Sequence, residues 1–200
     1  MSKKEAKNVY PIHGLLKQRW SPRAFSEKVV EKEKLQSVFE AARWSPSSYN
    51  QQPWRFIVGR KGDATYEKIM DALGAFNQRW AITAPVLVAT LGRKFNNNSE
   101  ENNLVYQYDA GQSVAHMSVE ATNRGLYVHQ MGGFDPKKII KHFEVPVQYK
   151  PLTVLAIGYI GDPEQIEESL KKAELAERDR FDFDDFVFSG NFGGKSGLFD

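Results

Sequence analysis

Apolar residues fall into two rhythms along this chain, and the rhythms predict its elements. Between 31 and 43 (EKEKLQSVFEAAR), Leu35, Val38, Phe39 and Ala42 recur at three- and four-residue steps, an amphipathic helix that Pro46 ends. Ile12, Leu15 and Leu16 predict a helix over about 10–17, which Pro22 keeps from running on. Further helices are predicted over about 63–73 and 104–124, the latter stopped by Gly125. Along the long one, Val105, Tyr108, Gln112, Ala115, Val119 and Thr122 trace one face. Its small residues (Ala110, Gly111, Ser113, Ala115, Ser118, Ala121) permit close approach of another helix. DPKKIIKHF, from Asp135, opens with an Asp cap and a proline at the first helical position. EQIEESLKKAELAERD (164–179) reads as a charged, solvated helical stretch. The strand rhythm gives WRFIVG (54–59), APVLVATLG (84–92), LYVHQM (126–131) and PLTVLAIGYIG (151–161), the second and fourth apolar enough to be buried on both faces. FNNNSEENN, from Phe95, is a surface loop. The last stretch, FDFDDFVFSGNFGGKSGLFD, holds six phenylalanines with no helical period. An extended arm from about 178 to 200, lying on another subunit, would cover them.

Strands alternate with helices, so the class is α+β or α/β, and the absence of a repeat or linker predicts a single domain over 1–200. With 200 residues, 41% of them hydrophobic and 26% charged, the chain can bury a sizeable core. A net charge of +2 is too balanced to make nucleic acid the expected partner. There is no cysteine, which excludes disulfides, thiolate nucleophiles and cysteine-based zinc sites. The basic N-terminal segment lacks the continuous apolar core of a secretory signal, and the longest apolar runs are too short for a bilayer. The expectation is a soluble cytoplasmic protein with no membrane partner.

Three clusters carry candidate chemistry. In QRWSPR, Arg19 and Arg23 flank Ser21, and two forked guanidiniums beside a hydroxyl suit phosphate oxygens; taken alone, they also read as surface arginines beside a turn. In RWSPSSYNQQPWRF (43–56), Pro46 and Pro53 stiffen a strip of hydroxyls and amides, Ser47, Ser48, Asn50, Gln51 and Gln52, that can read the edge of a planar heterocycle or simply join a helix to a strand. Trp44 and Trp54 read as core residues packing that strip down. In MGGFD, Gly132 and Gly133 let a ligand approach the main chain, or form a plain strand-to-helix turn. SGNFGGKSG imitates a phosphate loop, but the first glycine of that motif would fall on Ser189, and no helix can come after it. His13, His116, His129 and His142 show no metal-ligand spacing, and no nucleophile or proton shuttle is identifiable. The prediction is therefore no metal site and no catalytic side chain, so that a bound cofactor would carry any redox step.

Taken in order, Arg-x-Ser-x-Arg, Ser-Pro-Ser-Ser-x-Asn-x-Gln-Pro-Trp-x-Phe, Phe-Asn-x-Arg before a buried strand, a long small-residue helix ending in Gly-Leu, Gly-Gly-Phe-Asp, and an arginine before Phe-Val-Phe resemble the FMN-dependent NAD(P)H nitroreductase family from about Leu15 to Gly193. That resemblance implies an α+β three-layer sandwich, a central mixed sheet flanked by helices, in a homodimer that exchanges an extended C-terminal arm and binds FMN at the subunit interface. It implies that Arg19, Ser21 and Arg23 hold the phosphate with Arg180, that Trp20 contributes backbone contact, and that Pro46, Ser47, Ser48 and Asn50 line the flavin from the partner. Asn77 would bond the pyrimidine edge, and Gly132 and Gly133 would approach N5 and O4. The tail departs from the family pattern at Arg180-Phe181-Asp182-Phe183, where Arg178 could replace a missing basic contact. The implied activity is ping-pong transfer of hydride from NADH or NADPH to an electron-poor acceptor such as a nitroaromatic or quinone. Two other readings stay open. One is a specialised flavin protein of the same fold (dehalogenase, flavin-fragmenting or flavin-storing). The other is a nucleic-acid or protein-interaction module built on the Arg-Trp patch and the Phe-rich tail.

Overall fold

The computed structural model describes residues 4–97 and 99–199. In chain order the elements are α1 (Gly14–Gln18), α2 (Lys32–Arg43), β1 (Trp54–Arg60), α3 (Ala64–Ala72), α4 (Ala75–Ala81), β2 (Val86–Arg93), α5 (Tyr106–Asn123), β3 (Tyr127–Met131), α6 (Pro136–Phe143), β4 (Tyr149–Gly158) and α7 (Glu168–Leu175). The strands form one sheet of order β1-β2-β4-β3. Among the described residues all three pairings are antiparallel, so the expected mixed sheet is corrected to an antiparallel one. Alternation of helices and strands does not fix strand direction: α3 and α4 together reverse the chain, returning β2 antiparallel beside β1.

Two apolar layers flank the sheet, because neighbouring strand residues point to opposite faces. Val86 and Val88 of β2 and Leu155 and Ile157 of β4 pack with Val38 of α2 and Val114, Met117 and Ala121 of α5. Leu87, Ala89, Val154 and Ala156 face the other way, onto Tyr66 and Ile69 of α3, Trp80 of α4 and Ile139 of α6. The chain is thus the expected α+β three-layer sandwich, with β2 and β4 covered on both faces.

The differences from expectation are local and physical. α1 begins only at Gly14, where the His13 ring accepts from the Leu15 N–H at 3.3 Å. α4 was not anticipated: AFNQRWA buries only Trp80 and Ala81, too few apolar positions to show a helical period. On α5 the inward face is Asp109, Ala110, Ser113, Val114, Met117, Ser118, Ala121 and Thr122. Of the face read from sequence, Thr122 alone is buried, whereas Tyr108 is 70% exposed. The inward stripe is composed largely of small and polar residues, so hydrophobicity pointed to the wrong side. α7 is not wholly solvated, since Leu170 and Glu174 are buried. The tail is not an extended arm throughout: Phe183 stacks on Phe199 at 4.1 Å, and both pack near Tyr10 of the same chain, while Phe181 and Phe192 remain exposed.

The close approach of β1 to α3 sets how tightly the sheet is covered. A Cβ on Gly59 would lie 2.4 Å from the Tyr66 backbone nitrogen, a contact that only a shift of the main chain could relieve. Gly59→Ala should therefore destabilise the protein by about 1–3 kcal/mol, read as a lower midpoint in urea unfolding with an unchanged slope.

Candidate functional site

The first cluster forms where α1 stops. Arg19 is the C-cap of that helix, in extended conformation, and Pro22 keeps the next residues from continuing it. Trp20 to Arg23 instead run along β3: the Trp20 ring meets Tyr127 edge-on at 6.3 Å, and the Pro22 carbonyl accepts from His129 Nδ1 at 2.8 Å. The segment is held from behind by the buried Glu174 of α7. Its Oε2 accepts from the Arg23 N–H at 2.8 Å, and its Oε1 from the Ala24 N–H at 3.2 Å. Lys4 Nζ donates to the Glu174 main-chain carbonyl at 2.6 Å and lies 4.6 Å over the Trp20 ring.

Positive charge accumulates here. Burial lowers the pKa of Arg19, and the Arg180 guanidinium adds to the effect. Arg178 is lowered likewise, by burial first and then by Arg19 and Arg180. Lys4 is lowered by burial; Glu174 opposes this, while Arg178 and Arg23 reinforce it. Among the described residues none of Arg19, Arg23, Arg178 or Arg180 forms an ion pair with a carboxylate. Arg178 is partly engaged, donating to the carbonyls of Lys17 at 2.9 Å and Lys4 at 3.2 Å. Arg23 Nε is buried with no partner. A buried guanidinium nitrogen left without a partner among other cations is a donor that an anion would satisfy.

The glycine turn lies at the far end of the same strand. Gly132 and Gly133 come directly after β3, both exposed, and a side chain on Gly132 would meet nothing within 4 Å. Asn77 of α4 donates from Nδ2 to the Gly133 carbonyl at 2.9 Å, and Gly74 N–H donates to the same oxygen at 3.0 Å. A Cβ on Gly133 would stand 2.9 Å from Asn77 Nδ2, so a side chain there would push that amide from its present place. Arg19, Trp20, Ser21 and Arg23 thus share the β3 edge with Gly132, Gly133 and Asn77. From His129 to the glycines is about 10–13 Å at the rise of an extended strand.

The Pro46–Pro53 strip stands elsewhere. It leads into β1, at the opposite edge of the four-stranded sheet, about 14 Å from the β3 edge at the usual strand spacing. Ser48 N–H donates to Asp109 Oδ2 at 3.1 Å, Gln52 N–H to Ser47 Oγ at 3.0 Å, and Asn50 N–H to the Ser47 carbonyl at 3.0 Å. Tyr49, Asn50 and Gln52 all have positive φ, a conformation costing about 1 kcal/mol or more per residue that surrounding contacts must hold. Pro46 and Asn50 are exposed, Ser47 and Ser48 partly so. Trp54 is buried as expected, but Trp44 is 73% exposed, its indole bonded to Glu40 at 2.8 Å. It does not pack the strip down, because it stands beyond the last turn of α2.

The model of the Nitroreductase family matches residues 16–76 and 62–159. The chain belongs to the Nitroreductase family. Its relatives include an uncharacterized 15.4 kDa protein of Mycolicibacterium smegmatis, 30% identical over 70% of this chain and 97% of that protein. An FMN reductase [NAD(P)H] of Bacillus subtilis is 27% identical over 78% of this chain and 67% of its own. A crystal structure described as an oxidoreductase containing FMN superposes with a TM-score of 0.90 at 31% identity, covering 98% of this chain and 99% of that one.

Three neighbours of these clusters escaped the sequence reading, the first two being Asp109 and Glu174. Both are carboxylates buried to 2% exposure that accept backbone N–H groups of the polar strip or the arginine segment. Each had a signal: Asp109, Ser113, Met117 and Ala121 recur at four-residue steps, as do Leu170 and Glu174, which places a charge on an inward stripe. His129 is the third. Burial holds its pKa down, from 6.5 to about 4, against the opposing bond to Pro22 and with help from Arg23. Its neutral ring packs 4.3 Å from Trp80. Because the folded value lies below the unfolded one, the unfolded chain takes up the proton first. Stability should be complete above pH 6.5 and fall by up to about 3 kcal/mol as pH drops through about 4. The ring resonances of His129 should titrate near that lower value, and His129→Asn should flatten this part of the stability profile.

Proposed function

We propose that this chain is an FMN-dependent NAD(P)H oxidoreductase that reduces electron-poor acceptors such as nitroaromatics or quinones. The observation that carries the reading is the unneutralised arginine cluster, with its orphaned Arg23 Nε, set on the same strand edge as an open Gly-Gly turn. Arg19, Ser21, Arg23 and Arg180 would bind the phosphate, with Trp20 contributing backbone contact and Arg178 closing the cluster from its post on the Lys17 carbonyl. Gly132 and Gly133 leave the main chain accessible to the ring, and Asn77, anchored on the Gly133 carbonyl, keeps its Oδ1 for the pyrimidine edge. FMN would supply two-electron hydride chemistry, with NAD(P)H and acceptor using one face in turn, a ping-pong order. The chain's own part is to hold a dianion, orient a planar ring and present donors where negative charge develops, so no side chain is assigned proton transfer.

The polar strip supports a homodimer. Pro46, Ser47, Ser48 and Asn50 stand at the edge away from the cluster, so a second copy would bring them to the flavin. The exposed stripe of α5, with Tyr108, Gly111 and Ala115, and Leu104 just before the helix at 90% exposure, supplies an apolar, small-residue surface for that contact, and Phe181 and Phe192 of the tail add apolar surface to exchange.

Purified protein should be yellow or become so with FMN, and each pyridine nucleotide should bleach it anaerobically; a protein that stays colourless in FMN sinks the reading. Steady oxidation of NAD(P)H with added nitroaromatic or quinone separates turnover from flavin storage. Arg19→Gln should weaken FMN about tenfold or more while leaving riboflavin nearly unchanged. Ala115→Arg should convert the dimer to a monomer, measured by light scattering, and release flavin with it. A dimeric, flavin-loaded Ala115→Arg protein would place the contact on another surface.

A further inference from the structure

The carboxylate of Glu174 is the acid in contact with the arginine segment, and it does not bond any guanidinium there. Both of its oxygens are taken by main-chain N–H groups, those of Arg23 and Ala24, and the helix that carries it also offers its Glu174 carbonyl to Lys4. The side chain is 2% exposed. An acid that merely balanced charge would point at the cations; this one grips the backbone from which Arg23 projects and leaves Arg23 Nε without a partner.

We propose that Glu174 is a positioning residue for the phosphate end of the flavin site, acting through Arg23. It fixes the Arg23 main chain so that the guanidinium stays turned to the anion instead of folding back onto a carboxylate. The inference rests on the flavin reading above. Removing the charge would lift some repulsion of a phosphate. It would also leave a buried N–H facing a donor, and because the carboxylate holds two main-chain N–H groups at once, the loss of backbone placement outweighs the relieved repulsion.

The test compares affinities for FMN and riboflavin, by quenching of flavin fluorescence on titration with apoprotein. Glu174→Gln should weaken FMN about tenfold and riboflavin by less than about twofold, and it should add nothing further in an Arg23→Gln background. Equal losses for both flavins would reduce Glu174 to a structural role. Unchanged or tighter FMN binding, or additive losses in the double variant, would overturn the proposal. If Glu174→Gln does not fold, Glu174→Asp takes its place, keeping the charge but withdrawing the carboxylate by one methylene, with the same FMN-selective loss expected. Wild-type protein that binds neither flavin would refute the flavin reading itself, an outcome distinct from all of these.

Discussion

Lys4, Arg19, Arg23, Arg178 and Arg180 crowd one end of the molecule, and the burial of Lys4, Arg19 and Arg178 among them is the constraint around which that end is built. Cations drawn out of water beside one another are unfavourable, and the lowered pKa values of Arg19, Arg178 and Lys4 express that cost. The chain answers with main-chain dipoles. Carbonyls of Lys4 and Lys17 receive Arg178, and the Glu174 carbonyl receives Lys4. The Glu174 carboxylate, which could have neutralised a guanidinium, is occupied with amides. The field at the β3 edge is therefore held in place and not cancelled, a state suited to a multiply charged anion.

The sheet then dictates what one copy can do alone. Its antiparallel order places β3 and β1 at opposite edges, so the arginine segment and glycine turn cannot lie beside the Pro46–Pro53 strip across three strand spacings. The strip is nonetheless rigid within its own copy. Asp109 reaches from α5 to the Ser48 N–H, and three non-glycine residues of positive φ within four positions are held by bonds to Ser47 and neighbouring loops. Strain held this firmly in a partly exposed segment suits a surface shaped for another molecule.

Most of the fold was legible because its strands are apolar runs and α2 is cleanly amphipathic. What was missed has a common cause: inward positions filled by small or charged side chains. α5 turns Asp109, Ser113 and Ser118 to the core and Tyr108 to the outside, so a reading that equates apolar with buried selects the wrong face. α7 hides Glu174 among lysines and glutamates that are solvated. α4 offers two buried residues in seven. The candidate residues Arg19, Ser21, Arg23, Gly132 and Gly133 were legible as motifs, but their sharing of one edge, and the strip's absence from it, come from strand order, which no local pattern encodes.

One helical turn joins the arginine segment to the glycine turn. Asn77 and Trp80, three residues apart on α4, lie on neighbouring positions of its surface. Asn77 secures the Gly133 carbonyl. Trp80 packs on His129, whose Nδ1 secures the Pro22 carbonyl beside Arg23. A protonated His129 would add a sixth cation to the cluster and oppose its packing on the indole, and burial keeps the ring neutral through the physiological range. The spacing between the arginine segment and the glycine turn is thus set by a rigid element with one face in the core. A displacement of α4 would move Asn77 and Trp80 together, so the arginine segment and the glycine turn are mechanically a single unit.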